Sequence, residues 1–147
     1  GTGGSMKTNQ IEDKTVIMTL PQGQYEIIQS EELTNENHDD LTISGALLSQ
    51  TKFINNTFRN CVFFGSKISE CTFIGCSFIN CKFQFTTLEN CNFEACQMTY
   101  TNWISSPLRS VKLNYCGLDS KTISHLARYK TDVGSCYRQE KEITNAA

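Results

Sequence analysis

Residues 71–83 read Cys-Thr-Phe-Ile-Gly-Cys-Ser-Phe-Ile-Asn-Cys-Lys-Phe, so a cysteine and a phenylalanine each return every five residues. The same period extends in both directions through sixteen consecutive units. The centre of each unit is a large apolar residue: Ile43, Leu48, Phe53, Phe58, Phe63, Ile68, Phe73, Phe78, Phe83, Leu88, Phe93, Met98, Trp103, Leu108, Leu113 and Leu118. A short fixed period is typical of a solenoid, in which each unit contacts its neighbours. The period therefore predicts a solenoid over residues 41–120.

Each unit also has a small slot, which is the position two residues before its centre. Because strand side chains alternate, the small slot and the centre both point inward, and the residues on either side of the centre face solvent. The fifth residue turns the corner and is often glycine or asparagine, as at Gly45, Asn55, Gly65 and Asn80. These residue types tolerate the backbone angles that tight corners need.

Several units resemble the cysteine-containing repeat of the pentapeptide repeat family: Cys71-Thr-Phe, Cys76-Ser-Phe, Cys81-Lys-Phe and Cys91-Asn-Phe. The resemblance implies an all-β fold, a right-handed quadrilateral β-helix with four pentapeptides per coil. A column of centres spaced by twenty residues supports four sides independently, since Leu48, Ile68, Leu88 and Leu108 are all aliphatic. Eighty residues then make four coils, or about 19 Å of rod at the usual interstrand distance.

Residues 1–5, Gly-Thr-Gly-Gly-Ser, are interpreted as a cloning remnant ahead of Met6. Residues 6–40 are predicted to form an N-terminal cap, a β-hairpin with strands at 15–20 and 25–29. Its role would be to cover the exposed edge of the first coil. An acidic connecting loop is predicted over 31–40.

Residues 121–147 are predicted to form a short capping helix and a tail. Asp119 or Ser120 would N-cap this helix. The resemblance implies that such C-terminal elements form the contact in dimeric relatives, so a monomer and a homodimer both remain open. Cys136 and Tyr137 fall beyond the repeat and have no predicted place.

No catalytic or cofactor-binding constellation is present in the sequence, which predicts a protein that is not an enzyme. Seven of the eight cysteines occupy small slots that elsewhere hold residues such as Ser66 and Thr86, which indicates a packing role. Cysteines twenty residues apart would form a line, whereas zinc needs a tetrahedron, so no metal is predicted. The absence of a signal peptide or a membrane-length apolar run predicts a cytoplasmic protein with reduced thiols and no membrane contact.

A group of outward-facing apolar residues near the first column of centres is the candidate protein-binding surface. Its members are Val62, Phe64, Phe85 and Ile104, which flank the centres of this column, and Tyr100 at the adjoining corner. The alternative is that the N-terminal segment folds over this face and makes it core. In that case the binding site would move to the opposite faces, around Arg59, Ile74 and Ile79.

Residues 41–120 hold six basic and four acidic residues, and no basic stripe, so direct nucleic-acid binding is not expected. The predicted function is that of a bacterial immunity or protective protein, which binds and blocks a toxin or shields an enzyme target. The resemblance also implies an alternative, a quinolone-resistance protein that engages gyrase as a DNA mimic. A net charge of +2 over residues 41–120 and a rod of four coils argue against that mimicry.

Overall fold

The computed structural model describes residues 26–142 as a solenoid of about six turns with parallel sheets and one short helix. Four parallel sheets form its four sides. Face A contains β1 Ile27–Gln29, β5 Leu47–Ser49, β9 Lys67–Ser69, β13 Thr87–Glu89 and β17 Leu108–Arg109. Face B contains β2 Glu32–Thr34, β6 Lys52–Ile54, β10 Thr72–Ile74, β14 Asn92–Glu94 and β18 Lys112–Asn114. Face C contains β3 Asn37–Asp39, β7 Thr57–Arg59, β11 Ser77–Ile79, β15 Gln97–Thr99, β19 Gly117–Leu118 and β20 Tyr137–Arg138. Face D contains β4 Thr42–Ser44, β8 Val62–Phe64, β12 Lys82–Gln84 and β16 Asn102–Ile104. The helix α1 spans Ser120–Arg128.

The strands pair in register with partners twenty residues away, so the predicted all-β solenoid of four pentapeptides per turn is confirmed. Phe73, for example, pairs with Phe53 on one side and Phe93 on the other. The three rings stack with centroids 4.7 Å apart and nearly parallel planes. Such stacks of centres, which we call the interior columns, fill the solenoid and form one continuous core.

The corners adopt left-handed backbone angles at most fifth residues, for example φ +53° at Asn55 and +54° at Asn80. Glycine and asparagine adopt this conformation at the lowest cost, which explains their frequency there. The corner N–H groups from Ser30 to Ala95 donate to carbonyls in the next turn, as Asn55 does to Ile74 at 2.8 Å. The corners are therefore bonded into the same ladders as the strands.

The small slots contribute hydrogen bonds as well as space. Thr86 Oγ1 lies within donating distance of two carbonyls, that of Gln84 at 3.2 Å and that of Phe63, in the preceding turn, at 2.9 Å. Cys76 Sγ makes the equivalent contact with the carbonyl of Phe53 at 3.3 Å. The slot thus favours a small side chain that can donate a hydrogen bond, which explains why Cys, Ser and Thr interchange there.

The predicted number of four coils was wrong, because the solenoid begins before Leu41. The stretch predicted as an acidic loop, residues 31–40, forms β2 and β3 instead. The period was hidden there because one centre is His38, whose ring stacks on Phe58 at 4.6 Å and whose Nε2 lies 2.9 Å from Asn56 Oδ1. Residues 27–29 pair in parallel with β5 rather than in a hairpin, and the other predicted hairpin strand lies outside the described residues.

At the C-terminal end, Asp119, one of the two predicted candidates, is the N-cap of α1, and its side chain accepts the N–H of Thr122 at 2.8 Å. After the helix the chain returns to the solenoid, where β20 pairs with β19. Cys136, in the twenty-residue register of Cys116, therefore stands in a small slot. The pattern did not reveal this because the centre that follows is Arg138. No helix within residues 26–142 is long and apolar enough to cross a membrane.

Candidate protein-binding surface

Phe85 occupies a corner between faces D and A that other turns fill with small residues. The column holds Gly45, Gly65, Phe85 and Ser105, all with positive φ. A bulky side chain at φ +52° is disfavoured by about 1 kcal/mol or more. The sequence interpretation placed Phe85 beside a strand centre, and this was wrong, since it lies at the corner itself. The chain therefore carries an aromatic side chain where its own backbone disfavours one.

Phe85 and Phe64 form an exposed aromatic pair. Their ring centroids lie 5.6 Å apart with an interplanar angle of 85°, an edge-to-face contact. Phe64 is 41% exposed and Phe85 is 53% exposed. A Cβ built on Gly65 has no neighbouring atom within 4 Å, so this corner leaves open space beside the rings.

Ile104 completes this group, which we call the aromatic edge (Phe64, Phe85 and Ile104). The N–H of Phe85 donates to the carbonyl of Ile104 at 2.9 Å. On face D, Gln84 lies between Phe64 and Ile104 as the in-register partner of both. The three apolar side chains therefore border a single corner of the solenoid.

The structure separates the other two candidate residues from this edge. Val62 is half-buried and lies on β8 of face D, with the interior residue Phe63 between it and Phe64. Tyr100 is 52% exposed and stands at the corner between faces C and D, with φ +56°. The five candidates therefore border face D on both sides, and the aromatic edge is the contiguous part.

The alternative location on face C contains a partly exposed Arg59 and a buried Ile79. Glu142 pairs with Arg59, with Nη2 and Oε2 3.1 Å apart. The chain reaches this point from Gln139, whose N–H donates to the carbonyl of Leu118. Ile79 is only 7% exposed although it points outward from its strand. Ile79 therefore offers little apolar surface to a partner.

Charge is distributed unevenly over the described surface. On face A, Glu89 contacts Arg109 at 3.0 Å and Lys67 at 3.2 Å, and these two hydrogen bonds hold its pKa below the ordinary value. The outward side chains of the four face D strands include Lys82 and no carboxylate. Face D therefore combines an apolar edge with the cation Lys82. None of its four strands carries an outward-facing acid.

The first turn is strongly acidic and changes the charge of the solenoid as a whole. Residues 26–40 contain six acidic residues and no basic one: Glu26, Glu31, Glu32, Glu36, Asp39 and Asp40. Adding them to the net +2 of residues 41–120 gives −4 for residues 26–120. The net charge of +2 that argued against DNA mimicry therefore applies to residues 41–120 and not to the whole solenoid.

All eight cysteines have free thiols, and seven are buried. Burial raises the pKa of Cys71 to about 11 and that of Cys91 to about 12, so these thiols stay protonated at neutral pH. Within residues 26–142, no group of three or more His, Cys, Asp or Glu side chains is arranged to hold a metal ion. The seven buried cysteines lie within hydrogen-bond distance of backbone carbonyls, as small donors of the core.

An apolar cleft of about 240 Å³ lies at the C-terminal end, beside α1. It is bordered by Ile123, Leu126, Val133, Cys136 and Tyr137, among others. The cleft lies in the C-terminal part of the chain, for which the sequence analysis left a dimer contact open.

A quadrilateral stack of parallel five-residue units defines the class of a pentapeptide-repeat solenoid. The family model described as the pentapeptide repeat region matches residues 51–123. The chain belongs to the pentapeptide repeat family, as predicted.

Two solved structures are similar in part. The pentapeptide repeat protein Rfr23 from the cyanobacterium Cyanothece 51142 is 15% identical, covering 64% of this chain and 88% of its own, with a TM-score of 0.30. A trypsin-treated variant of QnrB1, a plasmid-mediated fluoroquinolone resistance protein, is 13% identical, covering 79% and 92%, with a TM-score of 0.25. A search of the curated proteins found no match.

Proposed function

We propose that this chain is a non-enzymatic protein-binding solenoid whose contact surface is centred on the aromatic edge. In this role it acts as an immunity or protective protein, which binds and blocks a toxin or shields an enzyme target. The observation that carries the proposal is Phe85, an exposed aromatic residue at a left-handed corner where the same column uses glycine or serine.

Phe85 contributes little to the stability of the fold. Phe85 bears the backbone cost of its corner, and its side chain remains more than half exposed, so it recovers little by burial. Strained residues that persist on a rigid scaffold are concentrated at functional sites. Exposed aromatic residues at the centre of an apolar patch are also the residues that contribute most to protein interfaces. Strain and exposure together therefore favour binding.

Gyrase protection by mimicry of a DNA duplex is the second candidate, and the acidic first turn favours it. Six turns also give about 29 Å of rod at the interstrand distance, longer than the 19 Å of the four coils first predicted. The acids are concentrated at one end, however, whereas a duplex carries phosphates along its whole length. This distribution makes protein binding through the aromatic edge the better supported function.

The test is capture of a partner from a lysate of the native host by three forms of the protein. These are the unchanged chain, Phe85→Ser and the matched control Tyr115→Ser. Tyr115 is also an exposed aromatic residue at a left-handed corner, 60% exposed with φ +56°, but it lies between faces B and C. The expected result is that one partner is retained by the unchanged chain and by Tyr115→Ser, and lost with Phe85→Ser.

Thermal melting of the same samples identifies the opposite case. If Phe85→Ser lowers stability by several kcal/mol, the N-terminal segment covers the edge and the proposal fails. Retention of the partner by a well-folded Phe85→Ser would equally contradict it. For the second candidate, purified protein is added in excess to a gyrase supercoiling reaction that contains a quinolone. Failure to protect the supercoiling activity excludes gyrase.

A further inference from the structure

A polar cleft of about 300 Å³ lies on face D between β16 and α1. Its lining includes Asn102, Trp103, Lys121, Ser124, His125 and Arg128. We call it the cationic cleft. Lys121, Ser124, His125 and Arg128 lie at spacings of three, four and seven on α1, which places them on one side of the helix.

The helix is fixed over the strand by specific hydrogen bonds, so the cleft is preformed. Trp103 Nε1 donates to Thr122 Oγ1 at 2.8 Å. The ring of His125 stacks on Trp103 at 4.8 Å, and its Nε2 lies 2.7 Å from the carbonyl oxygen of Ser106. These contacts join α1 to the end of an interior column, and they hold the helix that carries the two cations of the cleft in place.

The cleft is electrostatically suited to an anion. Its lining holds Lys121 and Arg128 and no carboxylate. Neither cation forms an ion pair within residues 26–142, and Lys121 Nζ donates instead to Asn102 Oδ1 at 2.8 Å. Asp119 and Glu140 line an adjoining cleft that shares Asn102, Ser120 and Lys121 with this one. There Asp119 accepts the N–H of Thr122, and Glu140 accepts the N–H of Ser120. Burial lowers the pKa of His125, so its ring adds no charge at neutral pH.

The cationic cleft and the aromatic edge are parts of one surface. Asn102 lines the cleft and Ile104 belongs to the edge, and both point outward from β16 about 7 Å apart. Lys82, the in-register neighbour of Asn102, adds a third cation on the same face. A partner that covers the aromatic edge therefore extends onto the cleft.

We propose that the cationic cleft receives carboxylates of the partner that docks on the aromatic edge. The partner accordingly presents an acidic protein segment with an apolar anchor. This inference rests on the proposed function and adds the chemistry of the partner. An acidic protein segment fits better than a nucleic acid, because the surface combines three cations with an apolar edge and the first turn repels a long polyanion.

The test uses the single tryptophan of the chain, Trp103, which lines the cleft and reports its occupancy by fluorescence. The probe is a short synthetic peptide in which glutamates flank one leucine, and the matched peptide has glutamines in place of the glutamates. We expect saturable quenching or enhancement with the acidic peptide, and at least about tenfold weaker binding of the glutamine peptide. Binding of the acidic peptide should also weaken as salt is raised.

Charge-reversal variants locate the site. Lys121→Glu and Arg128→Glu should each weaken the acidic peptide at least about tenfold, whereas Lys52→Glu, the same charge change on face B, should have little effect. If a reversal disturbs the fold, Lys121→Gln and Arg128→Gln serve the same purpose. Equal binding of the two peptides, equal weakening by Lys52→Glu, or tighter binding of an oligodeoxythymidylate than of the acidic peptide would overturn the inference.

The two proposals fail in distinguishable ways. If partner capture is lost with Phe85→Ser but unaffected by Lys121→Glu and Arg128→Glu, the aromatic edge binds and the cleft does not. If the acidic peptide binds the cleft while capture is unaffected by Phe85→Ser, the aromatic edge does not bind the partner. The proposed function and the proposal of one shared surface are then both wrong.

Discussion

Phe63 and Phe64 are adjacent in the sequence, yet the first is 2% exposed and the second 41%. Phe63 stacks on Phe83 in an interior column, with centroids 4.7 Å apart and an interplanar angle of 4°. Phe64 meets Phe85 at the surface in an edge-to-face contact. Strand alternation alone assigns the two neighbours to opposite environments. The interior columns and the aromatic edge therefore use the same residue type for different purposes.

Some of these apolar residues stabilise the fold, whereas others add strain to it. Interior centres such as Phe63 are buried in unstrained strands. Phe85 combines exposure with a disfavoured backbone angle. Ile79 is a third case, an apolar residue at an outward position of its strand that is nevertheless only 7% exposed. The following predictions test whether these three environments differ in energy as they do in geometry.

The largest effect is expected in an interior column. Phe78 is 1% exposed and stacks on Phe58 with centroids 4.9 Å apart. Phe78→Ala should lower the free energy of unfolding by about 3–5 kcal/mol, because it leaves a large cavity between packed turns. Lys82→Ala, beside a centre but facing solvent, should change it by no more than about 0.5 kcal/mol. Denaturant unfolding of both variants measures the difference, and equal losses would mean that the inward and outward positions are misassigned.

The repetitive part of the fold was predictable because each unit repeats the same physical solution. The period of five fixes the centres, the small slots and the corners from residues 41–120 alone. The first turn and the return of the chain at β20 were not predictable in this way. Their centres include His38 and Arg138, which break the apolar pattern although the backbone continues in register. The hydrogen bonds of the small slots were not predictable either. A requirement for small size would by itself explain the residue types found there.

A smaller loss is expected at the buried apolar site on face C. Ile79→Ser should lower the free energy of unfolding by about 1–3 kcal/mol, because a nearly buried apolar side chain is replaced by a polar one. Ile74→Ser, at a half-buried position on face B, serves as the matched control and should lose less. Urea titrations compare the two. Equal losses would show that Ile79 is no better buried than Ile74 in solution.

A still smaller loss is expected in the small slots. Cys76→Ser should cost no more than about 1 kcal/mol, because serine can donate the hydrogen bond that Cys76 Sγ makes to the carbonyl of Phe53. Cys76→Ala should cost more than the serine variant, since it removes the donor. Thiol titration of the native protein should find Cys136 the fastest to react, as the only one of the eight that is not fully buried. A serine variant less stable than the alanine variant would contradict this role.

The candidate site was only partly predictable from the sequence. Alternation placed Phe64 and Ile104 on the outside, and the exposed fractions agree. It did not predict that Phe85 stands at a corner, because corners usually carry small or polar residues. Nor did it predict the cationic cleft, since Lys121 and Arg128 meet face D only once α1 folds back over β16.

The smallest effect on stability is expected at the aromatic edge. Phe85→Asn should change the free energy of unfolding by no more than about 1 kcal/mol, because relief of the left-handed corner offsets the lost contact with Phe64. Tyr115→Asn relieves the same strain at the opposite corner and should be at least as stable as the unchanged chain. Thermal melts and partner capture on the same samples separate the two roles. Phe85→Asn should fold normally and lose the partner, while Tyr115→Asn keeps it. A loss of stability at Phe85 comparable to that of Phe78→Ala would instead make the aromatic edge part of the core.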